Sequence, residues 1–592
     1  MSSAVSVKDV SFTYKTDEGQ STGTKALDGI SLEVASGSYC AVLGPNGSGK
    51  STLAKIIDIL ELPDDGRIVV LGTDAQTEDD FYKIRENCSY VFQNPDNQIV
   101  GTIVEEDVAF GPENLGVKLP ELRRRVDDAL KYVGLYELRN REAASLSGGQ
   151  KQKLAIAGAL AMEPKVLILD ESTAMLDPIS RDEFLELIEK MNREKGITVL
   201  TITHDMNEAG RCEKIFVVEK GKVTMEGTPS EIFSNPEGIR QAGLELPQDL
   251  SLLYELGKIT GNRAKEEDIR TPEDRLNTAV RFAESADANP DMPKSKTRKR
   301  GRKILEVDDL SYTYDGGRSY AIEHIDLTVY EGEVLAVVGR SGCGKTTLIS
   351  HLNGIVRPQS GDVLFYQDDG TVYSTSRRKD IPKIRQNVGL VFQYPEYQLF
   401  EETVRKDIAY GLKCTDAPTE NIESRIRGAA IISGLPEDVL DKSPFELSGG
   451  QKRRAALAGV LVMKPKILVL DEPAAGLDPM GRREMFDTIL ALRDIGTTVV
   501  IVSHNMDEAV RYADRIVCIR DGRKAVEGAA DELFASEEKA REYGLTMPVL
   551  YDFASRVKQS LKEKYRRMTP MPPYADPEAE AVSIIRSVLN AK

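Results

Sequence analysis

Nowhere in the 592 residues do eighteen apolar side chains run together, and a helix that crosses a bilayer needs about 20. No membrane span is therefore expected, and any work at a membrane would fall to a second protein that crosses it. The opening Met1-Ser2-Ser3-Ala4-Val5 has no basic stretch followed by an apolar one, so no signal peptide is expected. Cysteine is scarce and scattered, at Cys40, Cys88, Cys212, Cys343, Cys414 and Cys518. Without a Cys-x-x-Cys spacing, neither a zinc site nor a disulfide framework is indicated. Such cysteines read as small buried hydrophobes in a reducing compartment. Basic residues are outnumbered too, 78 against 95 acidic, for a formal net charge of -17. That balance favours solubility and argues against a nucleic-acid surface. Hydrophobic residues still make up 41%, enough for several cores in a chain too long for one domain.

What is present occurs twice. Val91-Phe92-Gln93-Asn94-Pro95-Asp96-Asn97-Gln98 returns as Val391-Phe392-Gln393-Tyr394-Pro395-Glu396-Tyr397-Gln398. Leu-Ser-Gly-Gly-Gln-Lys begins at Leu146 and again at Leu447, and Leu-Asp-Glu at Leu169 and Leu470. The interval is a whole domain, which excludes a solenoid of short repeats. Even the tails correspond, Gly243-Leu244-Glu245-Leu246-Pro247 with Gly544-Leu545-Thr546-Met547-Pro548. Between the halves, residues 283–303 run from an Asp/Asn/Pro stretch into Lys294-Ser295-Lys296-Thr297-Arg298-Lys299-Arg300, which reads as a solvated linker.

Within each half, short apolar runs alternate with helical stretches, the pattern of a parallel sheet covered by helices and thus an α/β fold. Val166-Leu167-Ile168-Leu169 and Ile467-Leu468-Val469-Leu470 are continuous apolar runs, as strands buried on both faces require. Tyr39 to Leu43 and Val334 to Val338 are similar, and each runs into a glycine-rich turn. Those turns, Gly44-Pro45-Asn46-Gly47-Ser48-Gly49-Lys50-Ser51-Thr52 and Gly339-Arg340-Ser341-Gly342-Cys343-Gly344-Lys345-Thr346-Thr347, fit the phosphate-loop pattern. Glycines let backbone N–H groups turn inward around phosphate oxygens, and the following helix presents its positive end to the same anion. Lys50 and Lys345 should reach the β- and γ-phosphates, with Ser51 and Thr346 as Mg²⁺ ligands.

Asp170-Glu171 and Asp471-Glu472 end buried strands at their carboxyl edge, where open α/β sheets bind ligands. An aspartate there suits Mg²⁺, and the next glutamate can polarise an attacking water. His204 and His504 stand at the same place in both halves, after strands 198–203 and 497–503, and are assigned to the γ-phosphate. His324 and His351 have no counterparts and receive no function. Ser147-Gly148-Gly149-Gln150 and Ser448-Gly449-Gly450-Gln451 each feed a helix; each reads as a helix cap or as a second anion cradle.

This ordered set resembles the ATP-binding-cassette family, over nearly all of both halves. The resemblance implies that the two halves pair head to tail within one chain. Each ATP would sit between one phosphate loop and the other half's Ser-Gly-Gly turn. It further implies that Gln93 and Gln393 sense Mg²⁺ and the γ-phosphate and touch a membrane partner. Tyr14 and Tyr314 would stack on adenine, and Asp177 and Asp478 would cross-link the halves. A closer resemblance is to a fusion of the two ATPases of energy-coupling-factor transporters. It rests on Gln93 to Gln98 with Glu171-Ser172-Thr173-Ala174-Met175-Leu176-Asp177, and on Gln393 to Phe400 with Glu472-Pro473-Ala474-Ala475-Gly476-Leu477-Asp478. Such transporters import vitamins or transition-metal ions through a membrane transmission subunit and a substrate-capturing subunit. The implied place of work is the cytoplasmic face of the cell membrane, and the cofactors are ATP and Mg²⁺. The expected organisation is a first cassette over 1–228, its extension over 229–282, the linker over 283–303, a second cassette over 304–528 and a second extension over 529–592. A conventional importer ATPase is the alternative, and a soluble tandem cassette acting on ribosomes or nucleic acid a weaker one. The short, proline-interrupted linker argues against the last.

Overall fold

The computed structural model describes all residues except 1, 15–24, 175, 288–299, 315, 317–318, 394, 414–420, 566–575 and 591–592, and leaves the side chains of 395–396 undescribed. Met175, the centre of the linker, Tyr394, the Glu396 side chain and Cys414 therefore lie outside the described residues. The chain forms two compact units. One comprises Met1–Leu250, Ala264–Arg275 and Asp478–Met480; the other comprises Ser251–Arg263, Leu276–Leu477 and Gly481–Lys592.

In the first unit a six-stranded sheet runs in the order Lys222–Gly227, Lys214–Glu219, Tyr39–Leu43, Thr198–Thr203, Val166–Asp170, Cys88–Val91. The last five strands are parallel, with in-register pairs such as Leu43 with Thr203 and Leu169 with Thr201. Every residue of Tyr39–Leu43 and Val166–Asp170 is buried. This is the two-faced burial that their continuous apolar sequence requires. A separate four-stranded antiparallel sheet has the order Leu27–Ala35, Ser3–Phe12, Asp65–Val70, Thr73–Asp74. Helices Val104–Asn114, Glu121–Tyr132 and Gly148–Ala161 pack together between the strands ending at Val91 and beginning at Val166.

The second unit repeats the design. Its parallel core runs Val388–Val391, Ile467–Asp471, Thr498–Ser503, Val334–Val338, Arg515–Arg520, with Arg523–Gly528 antiparallel at the edge. The antiparallel sheet is Ile322–Tyr330, Lys303–Tyr312, Ser360–Tyr366, Val372–Ser374. Val404–Lys413, Ile422–Ser433 and Gly449–Leu461 are the counterparts of the first unit's three packed helices.

Beyond the cassettes, the periodic Leu550, Phe553, Val557 and Leu561 predict an amphipathic helix. All four are buried on helix Val549–Lys564. Its Lys558 meets the fully buried Glu580 of helix Pro577–Leu589 at 2.6 Å. Among the described cysteines, Cys40, Cys88, Cys212 and Cys518 are buried and Cys343 half-buried, all as free thiols.

Candidate functional site

Each phosphate loop leaves the central strand of its sheet and enters a helix, Lys50–Ile57 or Lys345–Leu352. The last glycine before each helix makes that turn possible. Gly49 and Gly344 both have φ of 103°. A Cβ would lie 2.5 Å from the Ala26 carbonyl oxygen at Gly49 and 2.4 Å from that of Ala321 at Gly344. No other residue tolerates both constraints. The tips are open, with Asn46 and Gly47 exposed in one loop and Ser341 and Gly342 in the other, while Gly44 and Gly339 are buried beneath them.

Lys50 is buried and donates to the Pro45 carbonyl at 2.8 Å; Lys345 donates to the carbonyls of Gly339 and Arg340 at 2.7 and 2.9 Å. Each ammonium thus lies across its own loop. Burial pulls the Lys50 pKa down, against the pull of the Glu171 and Asp170 charges.

Residues far apart in sequence converge beside the loops. Ser51 Oγ donates to Asp170 Oδ1 at 2.8 Å, and Thr346 Oγ1 to Asp471 Oδ2 at 3.1 Å. Gln93 Nε2 donates to Glu171 Oε2 at 2.9 Å and Gln393 Nε2 to Glu472 Oε2 at 2.8 Å. The other glutamate oxygen faces a histidine, with His204 Nδ1 at 3.4 Å and His504 Nδ1 at 2.9 Å. Gln, Glu and His thus form one cluster per half, carried by the ends of three neighbouring strands. Both glutamates have left-handed backbone, φ 46° and 47°. Non-glycine residues seldom adopt it, and such strain gathers at functional sites. Burial pushes each glutamate's pKa up, but the histidine contact and the nearby lysine outweigh it and leave both below the ordinary range. Each is therefore a carboxylate at neutral pH, the form that accepts a proton. Burial holds Asp170 above its usual range and, with the Glu472 charge, lifts Asp471 to about 6.

A hydroxyl beside a carboxylate is a hard-oxygen pair, and it fits Mg²⁺, which takes one or two protein oxygens and completes its shell with phosphate and water. Among the described residues no group of three His, Cys, Asp or Glu could hold a metal alone. One hydroxyl and one carboxylate per half leave the rest of a Mg²⁺ shell to phosphate and water. In the second unit a cleft of about 350 Å³ opens here, lined by Thr346, Phe392, Gln393, Tyr397, Gln398 and Asp471.

Tyr14 and Tyr314 stand over the loop helices, their hydroxyls 3.1 and 3.2 Å from the Thr52 and Thr347 hydroxyls. Edge contacts from Phe12 and Tyr312 orient the two rings. The Ser-Gly-Gly turns are capping boxes. Ser147 Oγ accepts from the Gln150 amide and Gln150 Oε1 from the Ser147 amide, at 3.3 and 3.0 Å, and Ser448 with Gln451 repeats both distances. The amides of Gly148, Gly149, Gly449 and Gly450 begin the helices that these serines cap. Asp177 caps helix Pro178–Lys195 through the Ser180 amide at 3.2 Å, and Asp478 directly precedes helix Pro479–Asp494. His324 is exposed and pairs with Asp309, whereas His351 is buried and donates from Nδ1 to the Thr347 carbonyl.

Several contacts were not legible in the sequence. Tyr90 OH donates to Asp170 Oδ2 at 2.6 Å. Glu208, buried just after His204, accepts from the hydroxyls of Thr173, Thr201 and Thr203 at 2.8, 2.6 and 3.0 Å. The second half has Leu390 for Tyr90, and Ala474 and Ile501 for two of the threonines. A polar side chain in an otherwise apolar strand was the available signal.

The ABC transporter family model matches residues 27–174 and 322–475, one stretch in each half. A protein of Caldanaerobacter subterraneus subsp. tengcongensis named as an ABC transporter ATP-binding protein is 32% identical over 93% of this chain and 96% of its own length. A Bacillus subtilis protein named as an HMP/thiamine import ATP-binding protein, YkoD, is 33% identical over 93% of this chain and 96% of its own. The energy-coupling factor transporter ATP-binding protein EcfA1 of Clostridium novyi is 50% identical over 45% of this chain and 94% of its own. With two phosphate loops, two Asp-Glu strand ends and two matched stretches, the chain belongs to the ATP-binding-cassette family as a tandem ABC ATPase.

Proposed function

We propose that this ATPase is the energy-coupling subunit of an importer of the energy-coupling-factor type, working at the cytoplasmic face of a membrane with a transmission subunit and a substrate-capturing subunit. Vitamins or transition-metal ions are the proposed cargo. One observation carries the reading: both halves hold a complete Gln–Glu–His cluster beside a phosphate loop and a hydroxyl–aspartate pair. The likeness to EcfA1 and to the thiamine-import protein supports the choice of transporter type. Among the described residues no helix is long and apolar enough to cross a membrane, so the membrane work is assigned to partners.

In this reading Lys50 and Lys345 bind the phosphates and Tyr14 and Tyr314 the adenine. Mg²⁺, held by Ser51 with Asp170 and by Thr346 with Asp471, supplies charge neutralisation on the phosphates when bound. Glu171 and Glu472 accept a proton from the attacking water, and His204 and His504 orient that carboxylate and contact the γ-phosphate. Gln93 and Gln393 join the glutamates to the segments that meet the partner. In the first half, Lys151 at the start of the capped helix pairs with Asp96 of that segment at 2.7 Å. The halves pair through ATP, each Ser-Gly-Gly turn closing on the other half's phosphate loop. Ser448→Ala is then expected to slow turnover at the Lys50 site far more than loss of a helix cap, worth about 1 kcal/mol, would through stability.

Partner-facing segments differ between the halves: Asn94, Asp96 and Asn97 against Tyr394, Glu396 and Tyr397. Exchanging 94–97 with 394–397 is expected to cut coupled uptake by about tenfold or more, the usual cost of losing an interface anchor, with basal ATP turnover retained. Uptake in proteoliposomes measures this, and unchanged uptake counts against two unlike docking sites. The broader reading is tested by affinity purification from native membranes in mild detergent. Integral membrane subunits in fixed ratio are expected; recovery with ribosomes, or alone, overturns it.

A further inference from the structure

The two ATP sites differ at the aspartate assigned to the metal. Strands Cys88–Val91 and Val166–Asp170 are parallel neighbours, with Tyr90 opposite Ile168. Side chains two residues apart share a sheet face, so Ile168 and Asp170 lie on one face and Tyr90 joins them there. A phenol is long enough to reach along that face to the next position, and it does, donating to Asp170 Oδ2 at 2.6 Å. The ring is 7% exposed and packs at 4.7 Å against Phe92, which fixes where the hydroxyl can go. Ser51, the other hydroxyl, binds the opposite oxygen, Oδ1, at 2.8 Å. Both carboxylate oxygens are therefore held, one on the phosphate-loop side and one from behind.

The second half keeps the register and loses the donor. Leu390 lies opposite Val469 just as Tyr90 lies opposite Ile168, but a leucine is shorter and carries no hydrogen-bonding atom. Among the described residues Asp471 has one side-chain donor, Thr346 at 3.1 Å.

We propose that the Tyr90 hydroxyl is a positioning group for Asp170 that makes the first site bind Mg²⁺ more tightly than the second, where Leu390 stands. This rests on the reading of Asp170 and Asp471 as the metal-site aspartates. A carboxylate already locked by a hydrogen bond behind it loses less freedom when it binds a cation. Removing such a supporting bond commonly costs 10–100-fold in metal affinity.

The chain contains no tryptophan, so a single one introduced for Tyr14 or for Tyr314 reports one site at a time. The experiment titrates Mg²⁺ into the full-length protein with a non-hydrolysable ATP analogue and reads tryptophan fluorescence. With the reporter at 14, Tyr90→Phe, which removes only the hydroxyl, is expected to raise the half-maximal Mg²⁺ concentration about tenfold, without changing metal-free nucleotide binding. With the reporter at 314 it should change nothing, and Leu390→Tyr should lower the half-point there. A Tyr90→Phe protein that melts normally and keeps the parent half-point overturns the proposal, as does an equal shift at both reporters. Asp170→Asn separates the two layers of the argument. If it shifts the half-point and Tyr90→Phe does not, only the positioning role fails; if neither does, the metal-site reading fails with it.

Discussion

Glu171→Gln and Glu472→Gln, made one at a time in the full-length chain, are each expected to remove at least half of the ATP turnover. Made together they should lower it by about 10²–10⁴-fold, the usual contribution of a positioned general base. The substitution is sterically neutral and chemically specific. Glutamine retains an oxygen to accept from Gln93 or Gln393 and a second polar atom toward His204 or His504, so the cluster persists. What disappears is a carboxylate kept ionised by the adjoining histidine and lysine. Steady-state phosphate release measures the effect. Full turnover in either single variant would show that site to be idle in the parent protein.

The largest stability effect is expected at Arg515, a residue the site does not use. It sits on strand Arg515–Arg520, 5% exposed at its side chain, with Nη2 2.6 Å from Glu333 Oε1 and Nε 3.1 Å from Oε2. It also pairs with Glu527, donates to the Thr328 carbonyl and lies 5.0 Å from the centre of the Tyr330 ring. Burial alone would lower its pKa, but the Glu333 and Glu527 contacts outweigh it and raise it. Arg515→Ala leaves Glu333 buried without its partner, a change that costs about 3–5 kcal/mol. For a unit of this size that corresponds to a fall of roughly 6 °C in melting temperature. Calorimetry on the full chain should show it in the transition of the second unit. Arg515→Met with Glu333→Leu should recover most of the loss, because an apolar pair does not strand a charge. Failure to recover would mean that the arginine acts through Thr328 and Tyr330 instead. The first half has Ser38 and Lys214 at these positions, so the staple belongs to one half only.

Much of the architecture was legible because its signals are local. Val166-Leu167-Ile168-Leu169 reads as a strand covered on both faces, and it is one. The phosphate loops were legible for the same reason: a glycine in a left-handed turn, then a lysine opening a helix, is a constraint contained within eight residues. Ser147 and Ser448 also announced their caps, since the reciprocal bond spans only to the glutamine three residues on.

Local chemistry also brought out the candidates themselves, because repetition marked them. His204 and His504 stood out from His324 and His351 only by recurring at matching strand ends. Their partners needed the fold. Gln93, Glu171 and His204 come from separate strands, and the parallel pairing of Val166–Asp170 with its neighbours lines those strand ends up.

The amino-acid order alone thus determined the two cassettes, their strands and turns, and which residue types could bind phosphate, metal and water, since each depends on neighbours a few residues away. Only the tertiary structure decided that the first-half aspartate is held from behind by Tyr90, that Glu208 sits among three threonine hydroxyls, and that Arg515 staples the second half. Those contacts depend on sheet register and burial, which bring together side chains whose separation along the chain carries no trace of the contact.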